Sequence, residues 1–311
     1  MHTLENNGYK AKMLLDSISP AGIRLSTMEI TFPRIVLAEF NTHRMLSRNS
    51  ASSRAIPVEK QLKKMKEQPF IPEYWGKNQK GMQADQELEG PDRIAAEARW
   101  RKICVDAISA AEDMMKIGLH KQISNRVLEA FSWHTVIVSA TEWSNFLSLR
   151  CHRDAQPEIR NIAILMRDLL KLSTPRELGY RTWHLPLIQP NEIQDWMAEN
   201  SGKTYDEVVE MWKKISVGRC ARVSYLTHDG RRDLEADIKL CNDLRTSGHM
   251  SPFEHAARPM NHKEKELYSS EMHRMQDEGF PFAGNFRGWI SYRKEIPHEN
   301  DYGKIVNHGT I

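Results

Sequence analysis

Thr42-His43-Arg44-Met45-Leu46-Ser47-Arg48-Asn49-Ser50-Ala51-Ser52-Ser53-Arg54 is the stretch on which the reading of this chain turns. It sets one His and three Arg among four Ser and one Asn, with almost no apolar ballast. Such a segment cannot build a core. Its side chains offer cationic forks and hydroxyl donors suited to phosphate oxygens or a polar heterocycle. A solvated basic loop is the plainer account, since charged runs usually face water. The residues before it argue for more: 28–40 read as a buried strand or strand-to-helix run that delivers the polar segment from inside the protein.

Bulk properties bound the rest. A chain of 311 residues buries a large core, as one elaborate domain or two small ones, and a single domain over 1–311 is expected. A net charge of +3 with 27% charged residues is no polybasic signature, so no nucleic-acid partner is expected. No run approaches the roughly 20 apolar residues that span a bilayer. The opening residues 1–7 lack a basic and apolar secretory signal, which points to the cytoplasm. Cys104, Cys151, Cys220 and Cys241 are scattered without Cys-x-x-Cys spacing, against a zinc site or a disulfide scaffold.

Helices are expected to dominate. Residues 92–117 place Ile94, Ala98, Ile103, Ala107, Ala110, Ala111, Met114 and Met115 at helical spacing, as in a long packed helix. A second helix runs from Ala155 to Lys171, with Pro157 in its first turn, where the missing N–H does no harm. A third starts near Asp233 and stops at Gly248, a left-handed cap. Residues 23–32 and 217–225 are strand candidates; 68–90 and 183–205 read as irregular connections.

Three blocks resemble the flavin-dependent thymidylate synthases. His43, Arg44, the spacing to Ser52, and Arg54 match that family's Arg-His-Arg, seven residues, Ser signature, as do Ser47 and Asn49 within it. Thr42 stands in for the first Arg, Ser50 for a usual Glu, and Glu39 for Gln. Asn145-Phe146-Leu147-Ser148-Leu149-Arg150, then Asp154-Ala155-Gln156-Pro157-Glu158-Ile159, resemble the family's second block, with Asn125-Arg126-Val127-Leu128 upstream. Gly248-His249-Met250-Ser251-Pro252-Phe253-Glu254-His255 is close to the third, preceded by Cys220-Ala221-Arg222-Val223-Ser224-Tyr225. In the family this last block comes first. The resemblance therefore implies a circular permutation of an α+β fold, mixed helices around an antiparallel sheet. Residues 1–182 form the main body, 183–216 the connection, and 217–311 the segment equivalent to the usual N-terminal part plus a C-terminal extension. Permutation is tolerated where termini lie close and surface loops can be cut.

The resemblance also implies an activity: methylation of dUMP at C5, with FAD as cofactor and methylenetetrahydrofolate and NADPH as co-substrates. Carried over position by position, His43, Arg44, Asn145, His249, Ser251 and Glu254 contact the flavin. Ser52, Ser53, Arg54, Arg126 and Arg150 bind the nucleotide, and Arg44, Ser52 and Arg150 act in catalysis. Each has a plainer account. Ser52 can be a turn-forming hydroxyl, Arg150 a charge at a helix C-terminus, and Ser251 a cap before Pro252 at the first helical position. His249, Glu254 and His255 invite a metal reading, but no carboxylate or thiol cluster completes a ligand set, and no metal is expected. The family builds its sites between subunits of a homotetramer, which places Arg126 and Arg150 against another subunit's 52–54 loop.

Departures leave alternatives open. Ser139 and Thr141 stand where the family tends to have Asn and Arg. They are compatible with cytosine in place of uracil, with a hydroxymethylated product, or with a non-catalytic nucleotide- or flavin-binding relative. Residues 285–293, mixing Phe286, Trp289 and Tyr292 with Arg287 and Arg293, could stack on a flat ring or simply pack.

Overall fold

Strand formation starts from alternation. The computed structural model describes residues 2–225, 233–271, 282–297 and 299. Within them β1 (Thr3–Asn6), β2 (Tyr9–Ile18), β3 (Arg24–Pro33), β4 (Ser47–Ser50), β5 (Trp133–Ala140) and the two-residue β6 (Arg176–Glu177) make one sheet, ordered β1-β2-β3-β5-β4 with β6 beside β2. All pairings are antiparallel except β6 with β2. In β3, Met28, Ile30 and Phe32 alternate onto one face and are fully buried. They meet α6 (Pro157–Leu172), preceded in the chain by α1 (Leu37–Asn41), α2 (Val58–Glu67), α3 (Gly90–Lys116), α4 (Lys121–Ser124) and α5 (Ser144–Arg150). Ile159, Ile162, Ala163, Met166 and Leu169 repeat at helical spacing along the buried side of α6, with Pro157 at its start as expected.

The sheet's other face is closed from the C-terminal half. There follow α7 (Pro190–Glu199), α8 (Tyr205–Ala221), α9 (Leu234–Thr246), the three-residue β7 (Ala257–Pro259), α10 (His262–Glu271) and a hairpin, β8 (Phe282–Ala283) with β9 (Phe286–Arg287). β10 (Trp289–Ser291) pairs with β7 and leads into α11 (Tyr292–Glu295). Cys220 at the end of α8 and Val223 just after it pack on Leu14 and Ile137 of the sheet. The mixed α+β architecture around an antiparallel sheet agrees with the sequence reading.

Three local expectations need correction. Residues 217–225 are not a strand: α8 runs to Ala221 and continues as a 3-10 turn, Arg222–Tyr225. Every residue from Ile215 to Ala221 is buried, so no polar face marks the helical period. The stretch 183–205 is not irregular throughout, since it contains α7, opened by a capping box between Gln189 and Glu192. Residues 92–117 do form one long helix, α3, but only Cys104 and Ala111 of it are buried. Ile94 and Ile103 are 71% and 49% exposed. The third helix starts behind the Asp233 cap and ends before Gly248 at φ +75°, as read from sequence. Gly218 is required where α8 crosses α9, because a Cβ there would lie 2.4 Å from the Asp237 carbonyl oxygen.

Candidate active site

The polar segment leaves the core through α1. His43 N–H still bonds back to Phe40 O, and the Arg48 guanidinium donates to the carbonyls of Phe40, Asn41 and His43 at 3.4, 3.1 and 2.9 Å. Arg48 thus satisfies the open carbonyl end of α1, where positive charge is favoured. That contact fixes His43, whose ring meets Phe146 edge-on at 4.9 Å. Arg150, last residue of α5, donates from Nε to His43 Nε2 at 2.9 Å. Burial and then the cations Arg150 and Arg48 hold the His43 pKa below its ordinary value, so its Nε2 stays an acceptor.

β4 carries the segment on to the C-terminal half. Asn49 donates from Nδ2 to Cys220 O at 2.7 Å, and its Oδ1 accepts from the Ser251 hydroxyl at 3.3 Å. The early polar segment and the late turn therefore converge within one chain. Ser251 is not a helix cap: Met250 holds that position, no side chain caps the 3-10 turn Ser251–Glu254, and the Ser251 hydroxyl is spent on Asn49. Glu254 lies close enough to Arg48 to oppose the loss of its charge and pairs with Arg293 at 2.6 Å.

A buried chain of hydrogen bonds anchors that turn from beneath. Ser17 Oγ bonds His184 Nδ1 at 2.8 Å, His184 Nε2 bonds Thr27 Oγ1 at 2.8 Å, Thr27 bonds Ser139 at 2.6 Å, and Ser139 bonds His255 Nδ1 at 2.8 Å. All five residues are 0% exposed. Burial pushes the pKa values of His184 and His255 down to about 3, and that of His134 likewise. Each is neutral in the fold but takes a proton near pH 6.5 when unfolded, so the unfolded state gains protons as pH falls. Stability is complete above that value and drains away toward pH 3. Each histidine alone removes about 2 kcal/mol by pH 5. Urea midpoints at pH 7 and pH 5 test this, because most carboxylates titrate lower still; equal midpoints would refute it.

The second polar cluster sits where β4 has ended. Ser53 is buried and donates to Glu129 Oε1 at 2.9 Å, an oxygen that also receives Arg34 at 3.0 Å and Arg126 at 2.8 Å. Burial pushes the Glu129 carboxyl up, but these donors outweigh it and its pKa lies below the ordinary value. Arg34 donates to His134 Nδ1 at 3.0 Å, and Asn125 donates to Ser53 O and Ile56 O. A cavity of about 380 Å³ opens beside them, lined by Arg34, Ser53, Gln61, Glu129, Trp133 and His134. Arg126 thus stands beside its own chain's Ser53, and Arg150 against its own chain's His43. Neither contact needs a second subunit.

The other candidate residues face outward. Arg44, Arg54 and Asn145 are exposed, Ser52 is half-buried, and none has a side-chain hydrogen bond among the described residues. His249 is exposed, and its ring bonds the Ser247 hydroxyl at 3.1 Å. Sequence reasoning gave no role to Arg34, Glu129 and His134, which belong to no quoted block as charged partners. It also gave none to Arg48, visible inside the polar segment but not distinguished from the other arginines.

All four cysteines are free, and burial raises every thiol pKa, that of Cys241 to about 12. No helix among the described residues is long and apolar enough to cross a membrane.

Comparison with known proteins gives three findings. Residues 17–176, just over half the chain, match the family model described as thymidylate synthase complementing protein. A crystal structure of a UMP/dUMP methylase, PolB from Streptomyces cacaoi, bound with 5-Br UMP, is similar at 17% identity, covering 52% of this chain and 88% of that one, with a TM-score of 0.42. The same methylase bound with 5-Br dUMP is similar at 19% identity, covering 49% and 68%, with a TM-score of 0.40. No curated protein matches. On the match over 17–176, the chain belongs to the thymidylate synthase complementing protein family and is a thymidylate synthase-like methyltransferase.

Proposed function

We propose that the chain methylates dUMP at C5 to dTMP, with FAD as resident cofactor and methylenetetrahydrofolate and NADPH as co-substrates. The carrying observation is the junction of the His43–Arg48 segment with the Ser251–Glu254 turn through Asn49. The donor set there fits a flavin: the guanidiniums of Arg48, Arg150 and Arg293 surround a neutral imidazole and one carboxylate, a surround that favours an electron-rich ring. His43, Arg44, Asn145, His249, Ser251 and Glu254 would hold it. When bound and reduced by NADPH, the flavin would supply the hydride that completes the methyl group. Arg150 stabilises charge on the pyrimidine carbonyl as C5 becomes nucleophilic, and Arg44 and Ser52 act beside it. Ser52, Ser53, Arg54 and Arg126 orient the nucleotide, with guanidiniums suited to its phosphate.

The state of the thiols supports this route. Activating the ring through a cysteine needs a thiolate in an electropositive setting. Burial keeps each thiol here protonated instead. Residues 217–257 act in this reading as the permuted equivalent of the family's first block, with 217–225 as helix and 3-10 turn where a strand was expected. Exposed Ile94, Ile103 and Val105 on α3 support packing into a homotetramer. Purified protein is expected to be yellow and to release tritium from [5-³H]dUMP when given methylenetetrahydrofolate and NADPH. A colourless protein that binds no dUMP, or a hydroxymethylated product, overturns the proposal.

A further inference from the structure

We propose that the C-terminal hairpin completes the active site with a subsite for a sugar–phosphate group, in which Asn285 and Arg293 bind the ligand. This rests on the reading that the cleft takes a flavin and a pyrimidine nucleotide. The hairpin lies outside the residues that match the family, 17–176. It is nonetheless built into the fold. Phe286 and Trp289 are buried, and the Trp289 indole donates to Ile23 O at 3.1 Å. Arg287 donates its backbone N–H to Thr141 Oγ1 at 3.0 Å and its Nε to Glu142 at 2.6 Å. Gly284 and Gly288, at φ +74° and +66°, turn the chain on either side of β9.

So held, the hairpin presents polar groups to the proposed cofactor site. Asn285 donates from Nδ2 to Ser47 Oγ at 3.1 Å, and Ser47 is the register partner of Ser139 on β5. The end of β5 offers a short hydroxyl at Ser139 and the next turn another at Thr141, both already engaged. The hairpin and the helix after it bring an amide, Asn285, and further cations, Arg293 and Lys294, to this edge. Between them lies a cavity of about 190 Å³, lined by Ser47, Glu254, Asn285, Ser291, Arg293 and Lys294. That is too small for a whole nucleotide and suits one fragment of it.

Its chemistry is mixed. Arg293 bonds Glu254 at 2.6 Å and Glu299 at 2.8 Å, and Lys294 also pairs with Glu299. With Arg48 nearby, three cations face two carboxylates, which leaves one positive charge for a phosphoryl oxygen. The Glu254 carboxylate, Asn285 amide, and Ser47 and Ser291 hydroxyls are matched to sugar hydroxyls. The sugar–phosphate can be the ribityl-phosphate of FAD or the ribose-phosphate of dUMP.

The experiment compares full-length wild type with Asn285→Asp and Arg293→Gln, titrating FAD and dUMP separately and recording thermal melting. Asn285→Asp keeps the size of the side chain, and the Ser47 hydroxyl can turn to donate to it. Its new charge repels a phosphate. We expect one ligand to weaken about tenfold or more while the other is unaffected and the melting temperature holds. Loss confined to FAD assigns the subsite to the cofactor, and loss confined to dUMP assigns it to the substrate. If Arg293→Gln does not fold, Asn285→Asp decides. Wild-type affinities for both ligands in Asn285→Asp overturn the subsite alone; wild type that binds neither ligand overturns the underlying reading and the subsite with it.

Discussion

An Asp237→Ala protein is expected to lose about 3–5 kcal/mol of folding stability, the cost of breaking a buried ion pair from one side. Asp237 is 1% exposed and receives Arg219 Nε at 3.2 Å and Arg222 Nε at 2.6 Å. Removing the carboxylate leaves two cations at the crossing of α8 and α9 with less compensation. Arg219 retains Glu192 at 2.9 and 3.0 Å and Leu187 O at 2.8 Å, which keeps the loss within that range rather than above it. The same crossing ends at Cys220, whose carbonyl anchors Asn49. Loss of stability should therefore come with loss of ligand binding at β4. Urea denaturation measures the first effect, and a change under about 1 kcal/mol would place Asp237 among ordinary surface substitutions and refute the argument.

Arg54→Ala is expected to act in the opposite manner, raising the KM for dUMP about 10- to 100-fold with almost no change in stability. Arg54 is exposed and lacks a side-chain partner among the described residues, so its removal breaks nothing in the fold. Its neighbour Ser53 is locked onto Glu129, which holds the loop in place and leaves the guanidinium available. Steady-state kinetics together with flavin absorbance read the outcome. Loss of flavin with an unchanged KM would mean that the two ligands' sites had been exchanged.

Legibility followed burial pattern. The core strand β3 and helix α6 show one apolar face each, so period and burial agree and the sequence reading placed them within a residue or two. The end of α8 is buried on every side, Arg219 included, so Val217 and Cys220 in it and Val223 just after it looked like strand because no exposed polar face marked the helical period. α3 was readable as a helix, yet its apolar residues did not tell that Ile94, Ala98 and Ile103 would face solvent and that only Cys104 and Ala111 would be fully buried. Within the polar segment, composition marked the region but could not rank its members. Arg44 and Arg54 emerge exposed, whereas Arg48, between them in sequence, is drawn inward to the end of α1.

The sequence by itself determined the chemistry available: cations and hydroxyls at 42–54, the Asn-Phe-Leu block, the Gly-His to Glu-His turn, and the α+β class. These are local properties of side chains and their periodicity. Tertiary structure alone decided which of them meet. His43 finds Arg150 across 107 positions and Ser251 finds Asn49 across 202, because sheet pairing and the packing of α8 bring them together. Contacts at such separation depend on how whole elements stack, and no local pattern in the chain encodes that distance.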